Sequence, residues 1–489
     1  ASVVPRARHV ESTYVDTPDH SLRHNGISFR LRRDGQRLLQ TVKAHASLHG
    51  GMSNVTEVET VAPGGRLDFA AIPDETLRDE IDKAVKGAAL KPVCKTLVKR
   101  TEGEVRSESG TRALLAVDMA EVKADGQSGK FCELELELLA GPPGGLFDIA
   151  QKLLPDGGVK FSRMSKAERG YLLAETGKFE PEPSPRNANA VSIAKSQTAE
   201  QAAQQVLREC AEQIAENIDV VLRQSASEGP HQLRIGLRRL RSSLQVFKTA
   251  LGSPMATHLG QESKWLGREV SQLRDLDVLQ HDLVLPEGRA FSDEPGFASL
   301  ACVLAQEGKS VRDLLRETLR SNRVQAFLFD LMRFVETRGW LTPEDENQLE
   351  RLAVPMRKLA AAALNKRWKK VRKRARHIQK MSVEERHELR KDLKKLRYAV
   401  EFMGPLYSAK KLKPFLKRLK KLQDLFGDLN DAAMVKTKLL QSTIDGTETK
   451  HIQRAIGWIV GASSARAELG WEHAQDLWKS LNNTSVFWK

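Results

Sequence analysis

The chain has 489 residues, 40% hydrophobic and 29% charged, with a formal net charge of +15. That balance supports two or three well-cored domains and excludes a wholly disordered polymer. No apolar run approaches the roughly 20 residues of a bilayer span, and the opening ASVVPRARHV lacks the apolar core of a signal peptide, so no membrane partner and a cytoplasmic location are expected.

Cys94, Cys132, Cys210 and Cys302 are scattered without a C-x-x-C pair, which argues against a disulfide framework or a zinc knuckle and predicts four buried, inert thiols. The charge is unevenly placed: residues 1–178 carry 26 Lys+Arg against 25 Asp+Glu, whereas residues 364–421 hold 22 basic and 5 acidic side chains. Such a field recruits polyanions, although a solvated basic face kept for solubility would read the same way.

The first part reads as strands. GISFRLRR, RLLQTVKA, NVTEVETV, KTLVKRTEGEV, TRALLAVDMAEV and FCELELELL are short and alternating, with DG and SG turn signals between several of them. Alternation puts Arg30 and Arg32 on one face of a strand, Thr41 and Lys43 on one face of the next, Glu57 and Glu59 on another, and Glu133, Glu135 and Glu137 together. Carboxylates crowded on one strand face repel each other, which a solvated strand tolerates. Facing Arg and Lys inside a closed barrel, they would instead make a divalent-cation and phosphate site.

YVDTPD, FRLRR, QTVK, the ELELEL run and SKAERGY together resemble the CYTH domain, the triphosphate tunnel fold, over residues 1–178. The resemblance implies an eight-stranded antiparallel β-barrel that holds triphosphate with Mg²⁺ or Mn²⁺, and an inorganic triphosphatase activity. It assigns Arg30, Arg32, Lys43, Arg100 and Lys166 to the phosphates, with Arg169 a weaker candidate, and Glu57, Glu59, Glu133, Glu135 and Glu137 to the metal and the attacking water. Lys43, Arg100 and Glu135 are the expected catalytic set. Two departures stand out. The family's N-terminal E-x-E-x-K strand has no counterpart in residues 1–20, and Val55 occupies a position where the family has Arg. A barrel lacking its first strand, with impaired catalysis, is therefore expected.

GKFEPEPSPRNANAVS, with three prolines and no apolar period, marks a linker at residues 179–194. From there to the end the pattern is helical, giving a multi-domain α+β chain with an all-α second domain over residues 195–489. Within it HQLRIGLRRLR, from His231, recurs as HELRKDLKKLR, from His387, an offset of 156. On a helix, Leu233, Leu237, Leu240, Leu244 and Phe247 form one stripe, and His231, Arg234, Arg238 and Arg241 form a cationic row beside it. The second copy repeats the stripe as Leu389, Leu393, Leu396, Val400 and Met403 and the row as His387, Arg390, Lys394 and Arg397. The same offset carries Leu266, Leu273 and Asp275 onto Leu422, Leu429 and Asp431. Two pseudo-symmetric halves with both rows flanking one groove are predicted.

The paired H-x-L-R-x-x-L-(R/K)-(R/K)-L-R motifs, RYAVEF and LQDLFGDLND resemble the conserved-histidine α-helical domain, CHAD. The resemblance implies two four-helix bundles around a basic groove that binds inorganic polyphosphate, often on granules. The binding set would be the two rows, helped by the helix at Lys366–Arg376 and by Lys417, Lys420 and Lys421. For the two histidines, interior residues that orient a helix are the competing reading. Nucleic acid is expected to compete only at low salt, since Trp368 and Tyr398 are the nearest candidates for stacking bases and Tyr398 reads equally well as a packing residue. A metal-dependent triphosphatase and a non-catalytic polyphosphate-binding protein with a degenerate barrel both fit the sequence.

Overall fold

Alternating residues become a seven-stranded antiparallel sheet in the computed structural model, which describes residues 5–342, 345–441 and 449–489, with the side chains of 430, 431, 440, 441 and 449 excepted. The chain forms two compact units, residues 1–183 and 184–489.

The strands of the first unit are β1 (Arg6–Asp16), β2 (Ser28–Asp34), β3 (Arg37–His49), β4 (Met52–Val61), β5 (Lys91–Arg106), β6 (Arg112–Ala124) and β7 (Gln127–Ala140). They lie in the order β4-β3-β2-β1-β5-β6-β7, with β4 and β7 at the edges, so the sheet is a curled half-barrel with one strand fewer than eight. β1, absent from the predicted strands, is its central member. The Asp125-Gly126 turn joins β6 to β7 with φ of 45° and 76°, the left-handed pair that a two-residue hairpin loop requires.

Helices α1 (Ser21–His24) and α2 (Glu75–Val85) cover the convex face of β2–β4, packing Leu22, Leu77 and Ile81 on Phe29 and Val42. On the same face of β6 and β7, Val117, Met119 and Cys132 are exposed. Cys302 is exposed as well, so only Cys94 and Cys210 are the buried thiols expected. Helix α3 (Gly144–Leu153) follows β7, and α4 (Lys166–Thr176) seats Ala167, Tyr171 and Leu173 against Tyr14, Cys94 and Val122 at one end of the concave face. The S-K-A-E start of α4 forms a reciprocal capping box between Ser165 and Glu168, and Gly177 ends it in the left-handed region.

No helix or strand occurs between Gly177 and Thr198, but this stretch is anchored: Arg186 pairs with Glu209, Glu212 and Glu216 at 2.6, 2.9 and 2.5 Å. The second unit contains α5 (Ala199–Arg223), α6 (Glu228–Val246), α7 (Lys248–Leu251), α8 (Pro254–Asp277), α9 (Leu285–Ala290), α10 (Pro295–Arg320), α11 (Asn322–Glu336), α12 (Gln348–Ala353), α13 (Met356–Arg374), α14 (Val383–Met403), α15 (Ala409–Gln441), α16 (Thr449–Glu472) and α17 (Ala474–Asn482). A π-helical stretch, Val278–Val284, links α8 to α9.

Shifting by 156 places the first residues of α5, α6, α8 and α10 within two positions of those of α13, α14, α15 and α16. The packing is duplicated with them: α5 on α6, α6 on α8 and α8 on α10 in one half, α13 on α14, α14 on α15 and α15 on α16 in the other. The halves meet where α6 touches α14 and where Leu300 and Leu304 of α10 join Ile452 and Ile456 of α16. They also start side by side. The amide of Ala199 donates to Val354 O at 2.8 Å and that of Met356 to Gln197 O at 3.0 Å. Among the described residues, no helix is long and apolar enough to cross a membrane.

Candidate functional site

Register decides the concave face. Directly opposed residues share a face of a sheet, and the pairs Tyr14–Arg30, Ser12–Arg32, Arg30–Thr41, Lys43–Glu57 and Thr41–Glu59 run across β1 to β4. Arg8–Arg100, Arg100–Asp118 and Asp118–Glu133 continue the same face across β1, β5, β6 and β7. One surface therefore carries Arg8, Arg30, Arg32, Lys43 and Arg100 interleaved with Glu57, Glu59, Asp118, Glu133, Glu135 and Glu137.

Around β6 the charges converge. Arg100 donates from Nε and Nη2 to both oxygens of Asp118 at 2.8 and 2.6 Å, and from Nη2 to Glu135 at 2.7 Å. Lys166, on the first turn of α4, places Nζ 2.9 Å from Asp118, 2.9 Å from Glu135 and in contact with Glu133. Asp118, Glu133 and Glu135 each offer an oxygen within 4.8 Å of the others. Three hard oxygen donors at that spacing suit a hard divalent cation.

Burial alone would raise Glu135, but Lys166, Arg100 and Lys43 outweigh it and hold the carboxyl at about 2. The influence of Lys43, three strands beyond β5 in the sheet order, reflects the curl. Burial pushes Glu133 up. Asp118 has no exposed surface, yet its bonds to Arg100 and the charge of Lys166 overcome that burial and lower it. Burial would lower Lys166, and the charges of Glu135, Glu133 and Asp118 raise it instead.

On the other side of the curve, Lys43 pairs with Glu57 at 3.0 Å, Arg30 with Glu57 at 3.5 Å and Arg32 with Glu59 at 3.1 Å. The expected carboxylates are thus divided. Glu133 and Glu135 join Asp118, Glu57 and Glu59 sit among Arg30, Arg32 and Lys43, and Glu137 is exposed farther along edge strand β7, outside the cluster. Arg169 turns away from this face's open part: it is buried, pairs with Glu180 at 2.7 Å and lies 4.5 Å over the Phe131 ring.

Sequence reasoning missed Asp118 and Arg8. Each lies in a strand of mixed charge, β1 with Arg6, Glu11 and Asp16 and β6 with Arg112, Glu121 and Lys123, so no run of like residues signals it. Pairing the even-spaced positions of KTLVKRTEGEV and TRALLAVDMAEV would have set Asp118 against Arg100. Arg8 is engaged by Asp34 at 2.5 Å and Glu102 at 2.8 Å.

In the helical unit both predicted rows lie on single helices, His231, Arg234, Arg238 and Arg241 on α6, and His387, Arg390, Lys394 and Arg397 on α14. Arg238 lies 5.9 Å over the Tyr398 ring of α14, which brings the first row to the border of the second. Arg234 stands 3.7 Å from Asp275 and Arg397 2.7 Å from Glu401. The side chain of Asp431, the counterpart of Asp275, is outside the described residues. Burial, then the charge of Arg274, lowers His231; burial, then Lys391 and Arg390, lowers His387. Arg241 is lowered by burial and by the neighbouring charges of Arg268 and Arg238.

Lys417, Lys420 and Lys421 are exposed along α15, as are Lys366, Lys369, Arg372, Lys373 and Arg376 on and just beyond α13. Lys370 and Arg374 instead hold buried Asp392 of α14 at 2.9 and 2.7 Å. Both aromatic candidates for stacking are core residues. Trp368 packs edge-on to Phe415, and Tyr398 stacks on Phe402.

A CYTH domain profile matches residues 3–171 and a CHAD domain profile residues 205–441. An inorganic triphosphatase of Haemophilus influenzae is 29% identical over 172 residues, which are 33% of this chain and 45% of that protein, so the chain spans less than half of that relative's length. An uncharacterized protein of Mycobacterium tuberculosis is 24% identical over 470 residues, covering 89% of this chain and 82% of that one. Among solved structures, the CHAD domain from the plant Ricinus communis superposes with a TM-score of 0.54 and 25% identity over 62% of this chain and 98% of its own. The chain therefore belongs to the proteins that carry a CYTH domain followed by a CHAD domain.

Proposed function

We propose that the curled sheet hydrolyses the phosphoanhydride bonds of inorganic triphosphate and that the helical unit binds inorganic polyphosphate. The observation that carries the first reading is the concave face, where Arg100 and Lys166 contact three carboxylates within 4.8 Å of one another and Arg30, Arg32 and Lys43 pair with Glu57 and Glu59 across the curve. Linear triphosphate is a flexible chain of tetrahedral anions, and guanidinium and ammonium donors spread along a groove bind such a chain by charge-assisted hydrogen bonds. Mg²⁺ or Mn²⁺ held by Asp118, Glu133 and Glu135 would polarise the phosphoryl oxygens. Arg100, in contact with Asp118 and Glu135, is placed to neutralise charge developing on the leaving phosphate. Glu135, kept ionised, accepts a hydrogen bond from the attacking water, and Lys43 and Arg30 orient the far end of the substrate. Here catalysis is positioning and charge stabilisation.

The second reading, a polyphosphate-binding protein with a degenerate sheet, is favoured by one observation: among the described residues no further strand pairs with β4 or β7, which leaves the face open along one side. Phosphate release from triphosphate with Mn²⁺ decides between them. Release by the full chain that is lost in Glu135→Gln and Arg100→Met supports the hydrolase. Binding of triphosphate without release supports the second reading.

Two adjacent cationic rows on α6 and α14 support the polyphosphate assignment, and the burial of Trp368 and Tyr398 withdraws the two aromatic rings nearest to them from stacking on the bases of a single-stranded nucleic acid. Equal affinity for polyphosphate and for single-stranded RNA of matched charge at moderate salt would overturn it.

A further inference from the structure

Lys166 enters the acidic cluster from the first turn of α4, so its place there depends on how α4 is seated. Gly170 lies so close to β5 that a Cβ would stand 2.0 Å from Sγ of Cys94. The next residue, Tyr171, is buried, and its hydroxyl donates to Oδ2 of Asp16 at 2.7 Å.

Asp16 has no exposed surface. Its Oδ1 accepts from the amides of Thr17 at 2.7 Å and Leu22 at 2.9 Å, and its Oδ2 also accepts from the amide of Arg23 at 3.1 Å. A buried carboxylate persists when several donors converge on it. This one ties together the end of β1, the first turn of α1 and the helix that delivers Lys166, and it lies outside the Asp118 cluster. Lys166 and Tyr171 are separated by about 140° around the helix and roughly 7.5 Å along it, so a turn of α4 about its axis at Tyr171 displaces the ammonium. Contacts of 2.9 Å to Asp118 and Glu135 do not survive a shift of about 1 Å.

We propose that Asp16 and Tyr171 are positioning residues for the phosphate site, holding α4 in the seat from which Lys166 meets Asp118, Glu133 and Glu135. The proposal rests on the concave face being a triphosphate site. Calorimetric titration of the full chain with inorganic triphosphate, without divalent cations so that none is hydrolysed, tests both. Lys166→Ala should weaken binding. Tyr171→Phe keeps the ring and removes one hydroxyl; it should weaken binding about threefold to tenfold, and should add nothing in a Lys166→Ala background, since coupled residues are non-additive. Gly170→Ala, which forces α4 off β5, should show the same dependence on Lys166 and serves if Tyr171→Phe does not fold. Unchanged affinity in Tyr171→Phe alongside a weakened Lys166→Ala, or equal losses in both backgrounds, overturns the positioning role alone. Unchanged affinity in Lys166→Ala overturns the site reading and the positioning role with it.

Discussion

Asp118 and Lys166 illustrate how much a single residue's role owes to its neighbours. A buried carboxylate alone would be a costly charge, but between Arg100 and Lys166 it is held ionised. Lys166 is in turn a tethered cation standing where Asp118, Glu133 and Glu135 would hold a metal. Like charges about 4 Å apart repel by about 1 kcal/mol even in water, so Lys166→Met should tighten Mn²⁺ binding at least about fivefold without phosphate present, measured by Mn²⁺ paramagnetic resonance. Unchanged Mn²⁺ affinity would place the metal elsewhere. The pH dependence of stability follows the same charges. Asp118 and Glu135 are lower in the folded chain than in the unfolded one, so their stabilisation is present above the ordinary carboxylate range and is lost as pH falls toward about 2. The urea midpoint of the sheet unit should therefore drop between about pH 5 and pH 3, and less steeply in Arg100→Met. On α6 and α14, His231 and His387 are lowered by burial and by neighbouring cations. A bound polyanion reverses that field, so proton uptake should accompany polyphosphate binding and affinity should rise as pH falls from about 7.5 to 5.5. A double His→Gln variant with the same pH dependence would remove the histidines from the site. The cationic face was legible in Arg30, Arg32 and Lys43 because alternation announces a face. Asp118 was not, because an acid in TRALLAVDMAEV, which also holds Glu121 on the opposite face, acquires meaning only from the strand beside it.

At the scale of elements, the DG turn signal was read correctly because local chemistry sets it, as the Asp125-Gly126 turn shows, whereas the Ser165–Glu168 capping box came to light only in the structure. β1 escaped because Val10, Ser12 and Tyr14 face one side and Glu11, Thr13 and Val15 the other, so neither face is consistently apolar. Its position at the centre of the sheet follows from pairing with β2 and β5, contacts that reach as far in sequence as Arg6 to Glu102. α6 and α14 carry equivalent rows, so removing three cations from either should cost comparable affinity. Changing Arg234, Arg238 and Arg241 to Ala, or Arg390, Lys394 and Arg397 to Ala, should each weaken polyphosphate binding and reduce its logarithmic salt slope by about 2, measured by titration at several salt concentrations. Loss from the α14 variant alone would assign binding to the basic segment around α14 rather than to a shared groove.

Across the whole molecule, the two activities should separate. Glu135→Gln should abolish phosphate release and leave polyphosphate affinity intact, and the α14 triple variant should do the reverse, as read from the two assays on the same preparations. Linked loss in both would mean that one site serves both ligands. The sequence by itself determined the two-part plan, the strand and helix classes, the duplication at an offset of 156 and most of the charged candidates, because alternation, helical period and repeat spacing are local properties of the chain. Only the tertiary structure decided that β1 is the central strand of the sheet, that Asp118 rather than Glu137 completes the acidic cluster, and that Arg169, Trp368 and Tyr398 are packing residues. Those outcomes depend on register, curl and helix seating, which bring together residues distant in sequence. Their energies come from burial and countercharge that no single segment contains.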